Sequence, residues 1–176
     1  MLRLTRADDV PSFVRVVEGR VAALARAQTL LAEERWEGAT LRAMLEGELA
    51  PFLAGHRASL DGPPTVLPPG TAQPLAMALH ELATNAAKHG ALSVPEGRVA
   101  VTWRLGDDGL GVLRLSWAES NGPEIAGPPT QRGFGSRVLE GTVRGQLGGA
   151  VTIAWATTGL VCDMELPLGR GRPRPQ

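Results

Sequence analysis

Residues 80–89 form the densest group of polar side chains in the sequence. In a helix, spacings of four and three residues place Glu81, Asn85 and Lys88 on one stripe, with His80 on its flank. An amide oxygen can ligate a hard cation such as Mg²⁺. An ammonium group offsets phosphate charge, and a carboxylate can orient or deprotonate a nucleophile. The stripe therefore suits a metal–phosphate ligand, although the spacing alone also fits a plain solvated helix face.

Two other segments carry residues that could contact a ligand. Glu119 is the first acid after an apolar strand, where a side chain can reach into a cleft, and Gly122 would let a ligand approach the backbone. Gly133 and Gly135 lie at the start of a helix beside Ser136. Glycines at such a position expose N–H groups and the positive end of the helix dipole to an anion. Taken singly, an ordinary turn and a plain helix N-cap also explain these two segments.

Apolar periodicity indicates the elements that would position these residues. Three- and four-residue spacings predict helices, and alternation predicts strands. The predicted helices cover residues 9–36, 40–53, 71–89 and 134–147, and the predicted strands cover residues 57–66, 98–105, 110–117, 150–156 and 161–166. This order favours an α+β two-layer sandwich with the helices on one face of a mixed sheet. A Gly/Pro loop over residues 120–132 would then meet the polar stripe at one edge.

The predicted N-terminal helix has an apolar seam of its own. Its residues alternate spacings of three and four with one polar interruption, and they are Val14, Val17, Val21, Leu24, Gln28 and Leu31. Such a seam is typical of helices that pack against a partner helix. Packing against the helix's own domain is the alternative interpretation.

Composition excludes several classes of protein. The chain has 176 residues, of which 43% are hydrophobic, and its 18 basic and 18 acidic residues cancel, so it lacks the basic balance usual in nucleic-acid-binding proteins. No apolar run approaches the ~20 residues that span a bilayer. The first residues do not resemble a signal segment, which favours a cytoplasmic location. The single cysteine, Cys162, excludes an internal disulfide and is expected to be a small core residue.

Taken together, the three polar segments resemble the catalytic and ATP-binding domain of histidine kinases, and most closely the HWE group of sensor histidine kinases. That group is named for a histidine in its asparagine box, here His80, and for a Trp-x-Glu in its first glycine box, here Trp117 and Glu119. The matching stretches are residues 80–93 for the asparagine box, 133–137 for the second glycine box and 159–168 for the closing hairpin.

The resemblance implies a division of the chain. Residues 37–168 would form the ATP-binding catalytic domain, with the fold that histidine kinases share with gyrase. Residues 1–36 would be one helix left from a dimerisation hairpin, and residues 169–176 would be a flexible tail. A homodimer through the N-terminal helix is the expected assembly.

The resemblance also implies roles in binding Mg-ATP. Asn85 would hold Mg²⁺ on the ATP phosphates. Glu81, with His80 beside it, would be the catalytic group, acting as a base or as a water-orienting acid. Lys88 and His89 would contact phosphate or ribose.

The remaining site residues would bind the base and the phosphates. Glu119 would accept a hydrogen bond from the adenine amino group, and Gly122 would let the adenine approach. Gly133, Gly135 and Ser136 would cradle the phosphates.

The phosphoacceptor is missing from this pattern. A sensor kinase of this kind carries its phosphoacceptor histidine on the first helix of the hairpin, but the chain has only His56, His80 and His89, none of them in such a helix. The expected enzyme is therefore a histidine protein kinase that donates the γ-phosphate of ATP to a histidine helix or a partner kinase chain, with a response regulator downstream. Two alternatives remain at this level: an anti-sigma-type serine kinase on the same fold, and a non-catalytic ATP-binding or phosphotransfer scaffold.

Overall fold

The helices lie close to where the apolar spacing predicts them. The structure is a computed structural model that describes residues 10–33, 39–106, 111–127 and 134–168. In these ranges the helices are α1 (Val10–Glu33), α2 (Leu41–Leu53), α3 (Pro69–Lys88) and α4 (Phe134–Glu140). The strands are β1 (Ala39–Thr40), β2 (Ala58–Asp61), β3 (Val66–Leu67), β4 (Arg98–Leu105), β5 (Val112–Ser120), β6 (Ala150–Ala156) and β7 (Gly159–Pro167).

The main sheet is mixed, as the order of elements predicts. Its five strands lie in the order β2-β4-β5-β7-β6. β2 pairs with β4 in parallel, whereas the other pairs in this sheet are antiparallel. β1 and β3 form a separate antiparallel pair. The α+β two-layer fold is confirmed.

The core lies between the helices and one face of this sheet. The regularly spaced apolar residues on one face of α2, α3 and β4 are buried, namely Leu41, Met44, Leu45, Leu49, Leu75, Leu79, Leu82, Ala86, Val99, Val101 and Trp103. Trp117 of β5 is fully buried in the same cluster. Cys162 is buried as expected, and burial together with the neighbouring charge of Asp163 raises the pKa of its thiol to about 12. The thiol is therefore a core group.

Two predicted strands have different bounds in the structure. The single strand predicted over residues 57–66 is two separate strands, β2 and β3, because Pro63 and Pro64 lie between them and proline cannot donate to a ladder. The strand predicted to end at Trp117 continues to Ser120, so Glu119 lies inside β5. The Glu119 side chain is therefore held by a paired strand and does not lie in a loop.

The helix predicted over residues 134–147 changes its geometry part-way. The α-helix ends at Glu140 and continues as a π-helical turn over Gly141–Gln146. Leu147 N donates to Thr142 O at 3.0 Å, which is the i→i+5 bond of such a turn. Gly141 and Gly145 lie in this turn, and glycine is a weak former of α-helix. The change of geometry falls where the α-helix propensity is lowest.

The N-terminal helix packs against its own domain. Ala23 and Ala27 are buried, and α1 contacts α3 and α2 through this side. Val14 and Val21 of the seam remain 43% and 59% exposed. One face of α1 is thus used inside the chain, and Val14 and Val21 are left on the surface.

No helix in the described ranges is long and apolar enough to cross a bilayer. Part of the predicted loop over residues 120–132 and the predicted tail over residues 169–176 lie outside the described residues.

Candidate functional site

The C-terminal end of α3 presents open polar side chains. Asn85, Lys88 and His89 are exposed there. The helix ends at Lys88, and the backbone N–H groups of His89 and Gly90 both donate to Asn85 O at 2.9 Å. The backbone of Asn85 is therefore used in ending the helix, while its side-chain amide points to the surface and can take a ligand.

Glu81, one turn earlier on the predicted stripe, is covered. The Nε of Arg20 on α1 donates to Glu81 Oε1 at 2.6 Å. Their side chains are only 11% and 9% exposed. The sequence placed Glu81 beside Asn85 and Lys88, and the structure keeps them on one helix, but α1 lies over Glu81 and leaves the other two open.

His80 is held between the helices. Its Nδ1 lies 2.8 Å from Glu48 Oε2 on α2, and its Nε2 lies 3.5 Å from Thr84 Oγ1. Glu48 also forms an ion pair with Arg26 of α1. Burial alone would raise the pKa of Glu48, but the hydrogen bonds with His80 and Arg26 outweigh burial and lower that pKa. His80 therefore joins α3 to α2. It is also linked to α1 through Glu48, which binds Arg26.

Glu119 is buried in β5 and accepts two hydrogen bonds from its own chain. Its Oε2 accepts from the backbone N–H of Ala91 at 2.8 Å, and its Oε1 accepts from the indole N–H of Trp117 at 3.3 Å. Burial raises the pKa of the Glu119 carboxyl, and these two hydrogen bonds only partly oppose the rise. The Trp-x-Glu pair thus ties the segment after α3 to the sheet.

Two glycines allow these segments to meet. A Cβ on Gly90 would clash with the Glu119 carboxylate, and a Cβ on Gly122 would lie 2.7 Å from Ala91 Cα. Gly122 was expected to let a base approach, and in the structure it also lets the end of β5 approach the end of α3. The first glycine box and the asparagine box are therefore brought together.

The predicted phosphate loop is only partly described. Gly133 lies outside the described residues, and the backbone of Gly135 and Ser136 belongs to α4, with their side chains outside the description. Their predicted role in cradling phosphates stays a prediction.

Three residues near the site were missed by the sequence analysis: Arg20, Glu48 and Arg57. The guanidinium of Arg57 donates to the carbonyls of Leu92, Val94 and Gly97, so it also holds the loop after α3. Glycines inside helical patterns were the available signal for the other two, because such glycines often mark a close approach. Gly19 precedes Arg20, and Gly47 precedes Glu48.

Comparison with known proteins shows what the chain is similar to. The family model described as HWE histidine kinase matches residues 1–64. The blue-light-activated histidine kinase of Rhizobium johnstonii is 40% identical over 169 residues, which are 95% of this chain and 48% of the relative. The chain is therefore similar to HWE histidine kinases over residues 1–64 and to a blue-light-activated histidine kinase over most of its length. The blue-light-activated histidine kinase of Brucella abortus is 36% identical over 157 residues, which are 88% of this chain and 32% of that relative.

The chain spans about half the length of the Rhizobium relative and about a third of the Brucella one. Solved structures share its fold. The Erythrobacter litoralis blue-light-activated histidine kinase matches 96% of this chain with a TM-score of 0.70 at 19% identity, over 54% of its own length. The mycobacterial sensor histidine kinase MprB matches 76% of this chain with a TM-score of 0.57 at 23% identity, over 99% of its own length. The chain therefore has the fold of a histidine kinase catalytic domain.

Proposed function

We propose that the chain binds Mg-ATP and donates the γ-phosphate to a histidine, as the catalytic domain of a two-component sensor histidine kinase. The observation that carries the proposal is the open end of α3, where Asn85, Lys88 and His89 are exposed beside the contact of Gly122 with Ala91. An amide, a cation and a glycine-bounded surface are the groups that a metal–nucleotide ligand needs. The match of residues 1–64 to HWE histidine kinases and the 40% identity to a blue-light-activated histidine kinase support the same activity.

The side chains present fit Mg²⁺ bound together with ATP. Mg²⁺ commonly takes one or two protein oxygens and completes its shell with phosphate oxygens and water. The exposed amide of Asn85 supplies one such oxygen. Within the described ranges, no group of three or more His, Cys, Asp or Glu side chains could hold a metal ion by itself. Asn85 would therefore hold Mg²⁺ only with the nucleotide, and Lys88 and His89 would offset or contact the phosphates and ribose.

The other predicted site residues would bind the base or act on the nucleophile. Glu119 would select adenine, since a carboxylate oxygen can accept a further hydrogen bond beside those from Ala91 and Trp117. Gly122 would face the base. Glu81 would orient or deprotonate the nucleophile, which requires access to a carboxylate that is buried under α1. His80 would act with it by holding the start of the stripe in place.

The partners follow from the same activity. The phosphoryl group would pass to a histidine on a separate helix or partner chain, and then to a response regulator. The exposed Val14 and Val21 on α1 would face the partner helix of a homodimer. We place this reaction in the cytoplasm.

The alternatives are less well supported. A serine kinase on this fold does not account for the match to the HWE family over residues 1–64. A non-catalytic scaffold does not require the Glu81, Asn85 and Lys88 set, which is intact.

Phosphoryl transfer can be tested with labelled ATP. The chain alone should stay unlabelled, because none of its three histidines lies on α1 and His80 is bound to Glu48. An added helical hairpin that carries a histidine should acquire acid-labile label in the presence of the chain. Acid-labile label on this chain alone, or a hairpin that stays unlabelled, would contradict the proposal.

A further inference from the structure

Helix α1 makes three specific contacts along α3 and α2. A Cβ on Gly19 would lie only 3.0 Å from His80 Nε2, so the absence of a side chain there lets the two helices come together. The next residue, Arg20, forms the ion pair with Glu81. Two turns later, Arg26 forms the ion pair with Glu48. The polar start of the asparagine box is therefore covered by a helix that the nucleotide-binding fold does not itself contain.

The ion pair of Arg20 also affects the exposed residues of the same stripe, Asn85 and Lys88. Glu81 lies one helical turn before Asn85, about 6 Å away along the helix. A bare carboxylate at that distance would repel an anionic phosphate ligand. Arg20 offsets that charge, and both partners are about nine-tenths buried, which reduces screening by solvent.

We propose that Arg20 belongs to the nucleotide site and strengthens the binding of Mg-ATP by neutralising Glu81. The inference rests on the proposed function and adds a residue to it, from an element outside the ATP-binding fold. Docking of α1 and binding of the triphosphate are then coupled, because a docked α1 makes the site less negative. An uncharged nucleoside does not sense this coupling.

Nucleotide titration of charge variants tests the proposal. Arg20→Gln should weaken Mg-ATP binding about fivefold at low salt, from one unit charge acting on an anion about 10 Å away, and the loss should shrink as salt is added. Arg20→Lys keeps the charge and should bind within about twofold of the parent. The double variant Arg20→Gln with Glu81→Gln removes both charges and should recover the parent's affinity. Adenosine, used as the uncharged probe, should bind all four proteins equally.

Arg26→Gln is the matched control. It removes the other arginine ion pair that joins α1 to the domain, but its partner Glu48 contacts His80 and not the stripe. Its affinity for Mg-ATP should stay within about twofold of the parent. An equal loss in Arg26→Gln and Arg20→Gln would show that helix docking alone matters and would overturn the charge mechanism.

The proposal and the function on which it rests fail in different ways. If Arg20→Gln binds Mg-ATP as tightly as the parent, or if the double variant stays weak, Arg20 does not act through the charge of Glu81. If the parent itself binds no Mg-ATP, the proposed function is wrong and this inference falls with it.

Discussion

The polar residues of the asparagine box that lie on α3 fall into two halves with opposite surroundings. His80 and Glu81, in the first half, are covered by α1 and bound to Glu48 and Arg20. Asn85 and Lys88, in the second half, are exposed. A spacing of four residues shows that side chains share a face, but it does not show what packs on that face. The first half is thus a joint between helices, and the second half is the proposed ligand-binding surface.

His80 and His89, at the two ends of this set of polar residues, give the largest test of this difference. His80→Ala removes a hydrogen bond to a buried carboxylate and a packed ring, and it should lower the free energy of unfolding by about 2 kcal/mol. His89→Ala removes an exposed side chain and should change it by less than about 0.5 kcal/mol. Urea unfolding of both variants measures the contrast, and Mg-ATP affinity should follow the opposite order. Equal stability losses would mean that the halves do not differ.

Glu119 gives the next test, because it holds the open half to the sheet and is also the proposed adenine contact. Glu119→Gln should weaken ATP binding about tenfold, the cost of one charged hydrogen bond, and should bring the ATP-to-GTP preference towards unity, since an amide can donate to guanine. Competition binding with both nucleotides measures the preference. If affinity for both falls in parallel, Glu119 only positions Ala91, and the adenine contact lies elsewhere.

The sequence predicted the fold better than it predicted the surroundings of the site. The spacing of apolar residues predicted α2, α3 and β4, because each element buries one face and the apolar residues of its own sequence repeat with the period of that face. The ion pair between Arg20 and Glu81 joins residues 61 positions apart, and no local pattern reports such a contact. Glu119 was predicted just past its strand, because the apolar run ends at Trp117 while the backbone pairing continues to Ser120. The side chains of the predicted phosphate loop stay predictions.

The smallest expected effect is on the pH dependence of stability. The pKa of Glu48 is lowered in the folded state, so its stabilising contribution is present above its ordinary value near 4.5 and is lost as the pH falls through the lowered pKa. The pKa of Glu119 is raised, so its contribution is present below the ordinary value and is lost as the pH rises through the raised pKa. Glu48→Gln should therefore lose less stability than the parent between about pH 5 and pH 3, and Glu119→Gln should lose more. Urea unfolding across that range gives both slopes, and identical slopes in all three proteins would refute the assignment.

The claim that the open half of α3 is a metal–nucleotide site is tested most directly by calorimetric titration of ATP with and without Mg²⁺. The parent should bind ATP more tightly when Mg²⁺ is present, and Asn85→Ala should lose that metal dependence, a change of about ten- to a hundredfold in Mg-ATP affinity, because the amide ligand is gone. Gln28→Ala removes an exposed amide from α1 and should behave as the parent does. An Asn85→Ala variant that binds Mg-ATP as tightly as the parent would contradict the account.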